Sequence, residues 1–224
     1  MTAPGDPASI GAIIIGGPRE NIMSAVEIRP VSGIAVEPWL DELADLRIRV
    51  FRDYPYLYDG SPVYERDYLD RYARSEQSLF VLALEYNRLI GAATALPLMD
   101  ADPEFQTPFR AHGPAPERVF YFGESVLLPE YRGEGVGHRF FDLRELYARD
   151  FGFDFTTFCA VVRDHDHPRR PRDYRSLEPF WRKRGYQAEP RLITRFPWRD
   201  LGDEEQTEKT MQFWLRDVTA VEIP

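Results

Sequence analysis

The spacing of apolar residues along this chain changes several times, and each change marks an element. Val119, Phe120, Tyr121 and Phe122, then Val126, Leu127 and Leu128, make a β-branched and aromatic run closed by Pro129, which predicts a buried strand. Past Arg132, Gly133, Gly135 and Gly137 the period lengthens, and Phe140, Phe141, Leu143, Leu146 and Tyr147 recur at helical spacing. A strand therefore feeds a glycine loop, and the loop opens a helix. Upstream, alternation over 26–31 predicts a first strand, and Trp39, Leu40, Leu43, Leu46, Ile48 and Val50 predict a helix over 38–51. An aromatic loop over 52–60 and a second helix over 62–74 follow. Residues 79–84 and 89–98 read as two strands turning at Tyr86, Asn87 and Arg88. The proline-rich connection 97–118 is expected to carry a short helix over 103–111, either as a lid over a cleft or as an insertion without a role. Downstream, 155–162 reads as a strand parallel to the central one. The stretches 191–198 and 209–215 read as a closing hairpin, with Trp198 and Trp214 as packing anchors.

Composition bounds the class. A chain of 224 residues with 43% hydrophobic content can bury a sizeable core, and one domain over 25–218 is expected behind a disordered leader over 1–24. The leader's apolar run, Ile10 to Ile15, is far short of the ~20 residues of a membrane span, and no positive charge precedes it as in a signal peptide. A formal net charge of −9 argues against nucleic-acid binding, which needs a basic face. Neither nucleic acid nor membrane is an expected partner; a cytoplasmic enzyme fits, and assembly as a homodimer stays open. The single cysteine, Cys159, excludes a disulfide framework and a cysteine-rich metal site, and mid-strand it reads as a small apolar residue rather than a nucleophile.

The glycine loop carries the chemistry. Alternate glycines let the backbone bend tightly and approach a ligand, and the first turn of the following helix leaves N–H groups without intrahelical partners, an arrangement suited to a pyrophosphate. A P-loop would need four residues between its glycines and then Lys-Ser or Lys-Thr, and a Rossmann turn would place two residues before its third glycine. Neither spacing is present.

Arg132-Gly133-Glu134-Gly135-Val136-Gly137, preceded by Leu128-Pro129-Glu130-Tyr131, resembles the acyl-CoA pyrophosphate loop of the GNAT superfamily of N-acetyltransferases: Arg or Gln, two residues, Gly, one residue, Gly or Ala. Leu177 to Tyr186, with Trp181, Gly185 and Tyr186 near its end, is similar to that family's fourth helix. The resemblance implies an α/β fold with a mixed, mostly antiparallel sheet of about seven strands, flanked by helices, whose fourth and fifth strands splay apart. It further implies acetyl-CoA as co-substrate, without a metal. Main-chain groups of Val126, Leu127 and Leu128 would hold pantetheine, and those from Gly133 to His138, with Arg132 and including Glu134 and Val136, would take the pyrophosphate.

The acceptor would be a small-molecule amine or a peptide N-terminus, approaching the aromatic loop, so Tyr54, Tyr56, Tyr58 and Asp59 are candidate acceptor contacts, with Arg163, which follows the fifth strand where the family often has an Asn. Taken singly, each tyrosine is better explained as packing, and the functional reading belongs to the loop as a whole. Glu124, on the central strand, is the candidate base, with flanking apolar residues expected to raise its pKa. Many members carry a tyrosine where this chain has Trp181, which cannot donate a proton to a thiolate, so Tyr174 is the candidate acid. That departure keeps a non-catalytic acyl-CoA sensor open as the alternative to an enzyme. In the loop 163–175, His165, His167, Asp164 and Asp166 make a weak case for a metal; the arginines either hold an anion or pair with the loop's own acids.

Overall fold

The computed structural model describes residues 26–219 and a two-residue strand, Ile13–Ile14; the rest of the expected leader lies outside the described residues. Seven longer strands follow in chain order: β1 (Glu27–Ser32), β2 (Leu79–Glu85), β3 (Arg88–Pro97), β4 (Val119–Leu127), β5 (Phe155–Val161), β6 (Gln187–Trp198) and β7 (Thr207–Asp217). The helices are α1 (Leu40–Phe51), α2 (Pro62–Ala73), α3 (Pro103–His112), α4 (Val136–Asp150) and α5 (Glu178–Lys183). With Ile13–Ile14 paired to the outer edge of β1, the strands lie in the order β1-β2-β3-β4-β5-β7-β6, all neighbours antiparallel except β4 and β5.

The expected splay is present. β4 and β5 pair in parallel only at Val119 with Phe155, Phe120 with Thr156 and Tyr121 with Thr157; beyond these the strands part. β4 also carries a bulge: Ala93 faces Ser125 while Ala95 faces Phe122, so Gly123 and Glu124 together oppose Thr94. Glycine is required there. A Cβ on Gly123 would stand 2.6 Å from the Thr94 hydroxyl and 2.8 Å from the Tyr72 ring.

Alternation along β4 and β5 sorts the core into two layers. Tyr121 stacks on Phe105 of α3 at 5.0 Å, on the face that also receives α1 and α2. Phe122 meets Phe141 of α4 at 5.8 Å on the other, where Phe158 meets Trp181 of α5 at 5.0 Å. Burying each such ring is worth about 2–3 kcal/mol. The 103–112 helix is neither lid nor idle insertion. Phe105 and Phe109 pack on Phe213, Thr194 donates to the Glu104 carbonyl at 2.8 Å, and none of α3 lines the cleft, because its apolar stripe is committed to the sheet. The closing hairpin is longer than its apolar pattern suggests; β6 begins at Gln187 and bulges between Ala188 and Ile193, where Gln212 donates to the Glu189 and Leu192 carbonyls.

Candidate active site

A cleft of about 1330 Å³ opens where β4 and β5 separate, bounded by the start of α4, by α5, by the α1–α2 loop and by the 163–175 loop. Its two ends are built differently.

At one end lies the glycine loop. Gly133 and Gly135 hold φ of +88° and +84°, the left-handed region that L side chains rarely enter, and a Cβ at either, or at Gly137, would meet nothing within 4 Å. The loop therefore faces open space. The N–H groups of residues 133–137 have no main-chain acceptor among the described residues, whereas Arg132 N–H bonds Pro129 and His138 N–H bonds the Gly135 carbonyl at 3.0 Å. His138 is thus corrected as a main-chain ligand: its N–H closes the first turn of α4, and its ring stands edge-on to Phe180 at 4.9 Å. Glu134 and Val136 are not among the cleft-lining residues: the Glu134 side chain is exposed and the Val136 side chain is buried.

The β4 edge revises the pantetheine expectation in the same way. Leu128 N–H bonds Ile90 on β3 at 3.0 Å, and in an antiparallel ladder the orientation alternates, so Val126 also turns its main chain to β3. Ser125 and Leu127 turn theirs to the gap. Of the three expected residues only Leu127 presents main-chain groups to the splay, and Arg132 Nε already donates to its carbonyl at 3.2 Å, which leaves the N–H. Val126 and Leu128 serve the core instead.

Between the ends sits Glu124. Its neighbours are not the apolar ones expected. Arg47 Nη1 touches Glu124 Oε2 as an ion pair, though without hydrogen-bond angles, and Arg47 Nε donates to Glu65 Oε2 at 2.5 Å. The Glu124 side chain is only 1% exposed, and neither of its oxygens has a hydrogen-bond partner. Burial opposes the charge on Arg47, but the two carboxylates outweigh it and hold the guanidinium well above its ordinary pKa. Two carboxylates against one guanidinium leave this cluster one negative charge in excess. Tyr68 and Tyr72 adjoin it, Tyr68 OH donating to Tyr72 OH at 2.6 Å; burial comes first among the causes that raise both phenols and Glu124 adds to both, while the shared hydrogen bond raises Tyr68 and lowers Tyr72.

Arg144 fixes the bulge from the opposite layer. It is 1% exposed and donates Nη1 to the carbonyls of Thr94 and Glu124, each at 3.1 Å, Nη2 to Ser125 Oγ at 2.7 Å and Nε to Phe140 at 3.0 Å. Burial pulls its pKa down to about 10, so it stays charged at neutral pH.

At the other end, beside the aromatic loop, Tyr54, Tyr56 and Tyr174 line the cleft. Tyr174 meets Tyr54 edge-on at 4.7 Å, and half-burial pushes its phenol pKa up, so the proton stays on at neutral pH. Tyr58 and Asp59 do not line the cleft. Tyr58 hydrogen-bonds Glu65 and pairs with Asp200, and Asp59 is taken by Arg199 at 2.5 Å. Arg163, by contrast, does line the cleft, but its guanidinium is already engaged. Its fork grips Asp200 at 2.8 and 2.9 Å and donates to the carbonyls of Pro55 and Tyr56 at 2.8 and 2.9 Å, so it bolts the aromatic loop to the β6–β7 hairpin. Lys209 joins Asp200 at 3.3 Å, and Trp198 Nε1 donates to the Tyr56 carbonyl at 3.0 Å. The loop's charges do not pair with one another either: Arg163 and Arg169 reach Asp200 and Asp203, outside it. Cys159 is buried on β5, its thiol pushed up to about 12 by burial, so it is no nucleophile at neutral pH.

Arg47, Glu65, Arg144 and Asp200 were invisible to motif reading. The first three had a signal. Each continues an apolar helical stripe, Leu40-Leu43-Ala44-Arg47, Glu65-Tyr68-Leu69-Tyr72 and Phe140-Phe141-Arg144-Tyr147, and a charge on such a stripe demands a buried partner.

No curated protein matches this sequence. Solved structures do, at low identity. An acetyltransferase from Acinetobacter baylyi ADP1, itself of unproven activity, superimposes with a TM-score of 0.58 at 14% identity, over 91% of this chain and 98% of that one. Ribosomal-protein-alanine N-acetyltransferase from Brucella melitensis gives 0.55 at 13%, over 85% and 98%. The Salmonella typhimurium yncA protein, solved with acetyl-CoA, gives 0.55 at 11%, over 89% and 97%. These likenesses speak to fold alone. Sequence supplies the family: the description of the Acetyltransferase (GNAT) family fits residues 40–171, more than half of the 224, and spans α1, the parted strands and the glycine cradle, so the chain belongs to the GNAT acetyltransferases.

Proposed function

We propose that this acetyltransferase moves an acetyl group from acetyl-CoA straight to an amine within one ternary complex, and that the chain's own groups divide the work as follows. The N–H groups of residues 133–137 receive the pyrophosphate, and the open cradle fits that role because no side chain fills it. The outward N–H of Leu127 lies on the parted edge, where it can polarise the thioester carbonyl. When bound, the coenzyme supplies an acetyl group activated as a thioester. As the amine nitrogen bonds the acetyl carbon and the carbon–sulfur bond breaks, one proton must leave nitrogen and one can reach sulfur.

Glu124 is the proposed sink for the first. Its carboxylate lies under the cleft floor, paired with Arg47 and closed to solvent, so taking the proton requires the side chain to shift toward the cleft far enough to meet the amine or a relaying water. The charge in excess on Glu65, Arg47 and Glu124 also favours a cationic acceptor. Tyr174, which keeps its proton at neutral pH, is the proposed donor to the thiolate, in the place left by Trp181. Tyr54 and Tyr56 wall the acceptor's approach.

One juxtaposition carries this reading: the glycine cradle, the parted β4 edge and the Glu124 carboxylate follow one another within 15 residues and line one cleft. The test is to mix the protein with acetyl-CoA and a panel of amines and peptides while following free thiol and acetylated product. Stoichiometric release, cut sharply by Glu124→Gln with CoA affinity unchanged, is the expected result. Binding without turnover, indifferent to that substitution, would instead favour the acyl-CoA sensor, for which the closed position of Glu124 and Trp181 are the supporting features.

A further inference from the structure

The 163–175 loop holds an arginine that nothing described so far uses. The guanidiniums of Arg47, Arg144 and Arg163 are committed to protein acceptors, but Arg170, half-buried on the cleft wall, has no carboxylate and no hydrogen-bond acceptor for its side chain among the described residues. It is nonetheless held in place. Its guanidinium lies 5.0 Å above the Tyr174 ring, its N–H bonds the His167 carbonyl at 2.9 Å, and Tyr174 and His167 stand 4.7 and 5.7 Å from Tyr54. That clip ties Arg170 to the aromatic loop, away from the glycine cradle. Asp173 and Arg175 on the same wall, and Asp53 opposite, are exposed and solvated, so they bias the site little. A stacked, part-desolvated fork with all its donors free is the arrangement that recognises a carboxylate or a phosphate.

We infer that Arg170 is an anion subsite on the acceptor side, and that the acceptor is a dipolar molecule: its amine points to the floor above Glu124 and a carboxylate or phosphate lies against Arg170 at the rim. This rests on the acetyl-transfer reading for the amine end. It separates this cleft from one built for a polyamine, which would meet a cation where its second charge needs an anion.

The experiment uses ω-amino acids of increasing length, ω-aminoalkyl phosphates and the carboxamides of the same amino acids as acceptors, with wild-type protein and Arg170→Gln. The expected outcome is a preference for one anionic length over its carboxamide, lost through a 10- to 100-fold fall in kcat/KM in Arg170→Gln, mostly through KM, while CoA affinity holds within about twofold. Equal use of anionic and neutral acceptors by the wild type overturns the inference. So does weaker binding of CoA, but not of 3′-dephospho-CoA, in Arg170→Gln, since the anion would then be the cofactor's. If no amine is acetylated, the same compounds are titrated calorimetrically into the CoA-saturated protein: an anion preference abolished by Arg170→Gln upholds the subsite while the transfer reading falls, and no preference overturns it.

Discussion

The two ends of the cleft solve opposite problems. The glycine-loop end presents main chain, with left-handed glycines and N–H groups that no main-chain acceptor takes among the described residues, and its loop needs only local sequence to form. The aromatic-loop end is assembled from side chains far apart in sequence: Arg163 reaches Pro55 and Tyr56 across 108 and 107 positions, and Trp198 reaches Tyr56 across 142. The contrast teaches where this protein is brittle and where it is free to vary. A local loop tolerates change anywhere except at its backbone-defining residues, whereas a bolted loop depends on each bolt.

The sharpest way to break that contrast is at Asp200. Replacing it by Asn strands Arg163 and Lys209 without their anion, both nearly buried, and is expected to cost about 3–5 kcal/mol in denaturant unfolding and to raise acceptor KM with CoA affinity intact. Its pH signature has a definite sign. Burial pushes the Asp200 carboxyl up, but Arg163 and Lys209 outweigh this and hold it below the usual range, so its stabilisation is present at neutral pH and is lost as pH falls through the depressed value; Asp200→Asn should flatten the acid limb of the stability profile.

Next comes Glu124→Gln, expected to lower kcat about 100-fold or more without changing CoA affinity, read by thiol release and calorimetry. A smaller effect is expected at the cofactor end. Gly135→Val forces a β-branched residue to φ near +84°, a cost of about 1–2 kcal/mol or roughly 10-fold or more in CoA affinity, with acceptor-loop stability unchanged. Smallest is Cys159→Ala, which removes a protonated, core-packed thiol 3.4 Å from Tyr121 OH; turnover should stay within about threefold, and thiol reagents should modify the wild type slowly.

The same contrast explains what could be read in the chain beforehand. Strand β4, the glycine loop and α4 are contiguous and announced by period and composition, so the cradle and the splay were legible. The identity of the main-chain groups facing the gap was not, because the Thr94 bulge shifts the alternation and only pairing with β3 reveals it. Glu124 does lie on the strand beside the cleft as its place in the sequence suggests, but its setting was misread: Arg47 lies 77 positions earlier in sequence and enters from another layer. Tyr58 and Asp59 looked like their neighbours Tyr54 and Tyr56, and the bridge from Tyr58 to Asp200 that turns them aside joins positions 142 apart.

On the proposed division of work, the extra residue in β4 also ties function to the length of that strand. Deleting Gly123 would restore an unbroken ladder with β3, and side chains on one flank of the deletion would swap faces of the sheet relative to the other. The carboxylate and the outward amide of Leu127 could then no longer serve one opening. A single-codon loss there would disable the chain more thoroughly than most substitutions of the residues it displaces.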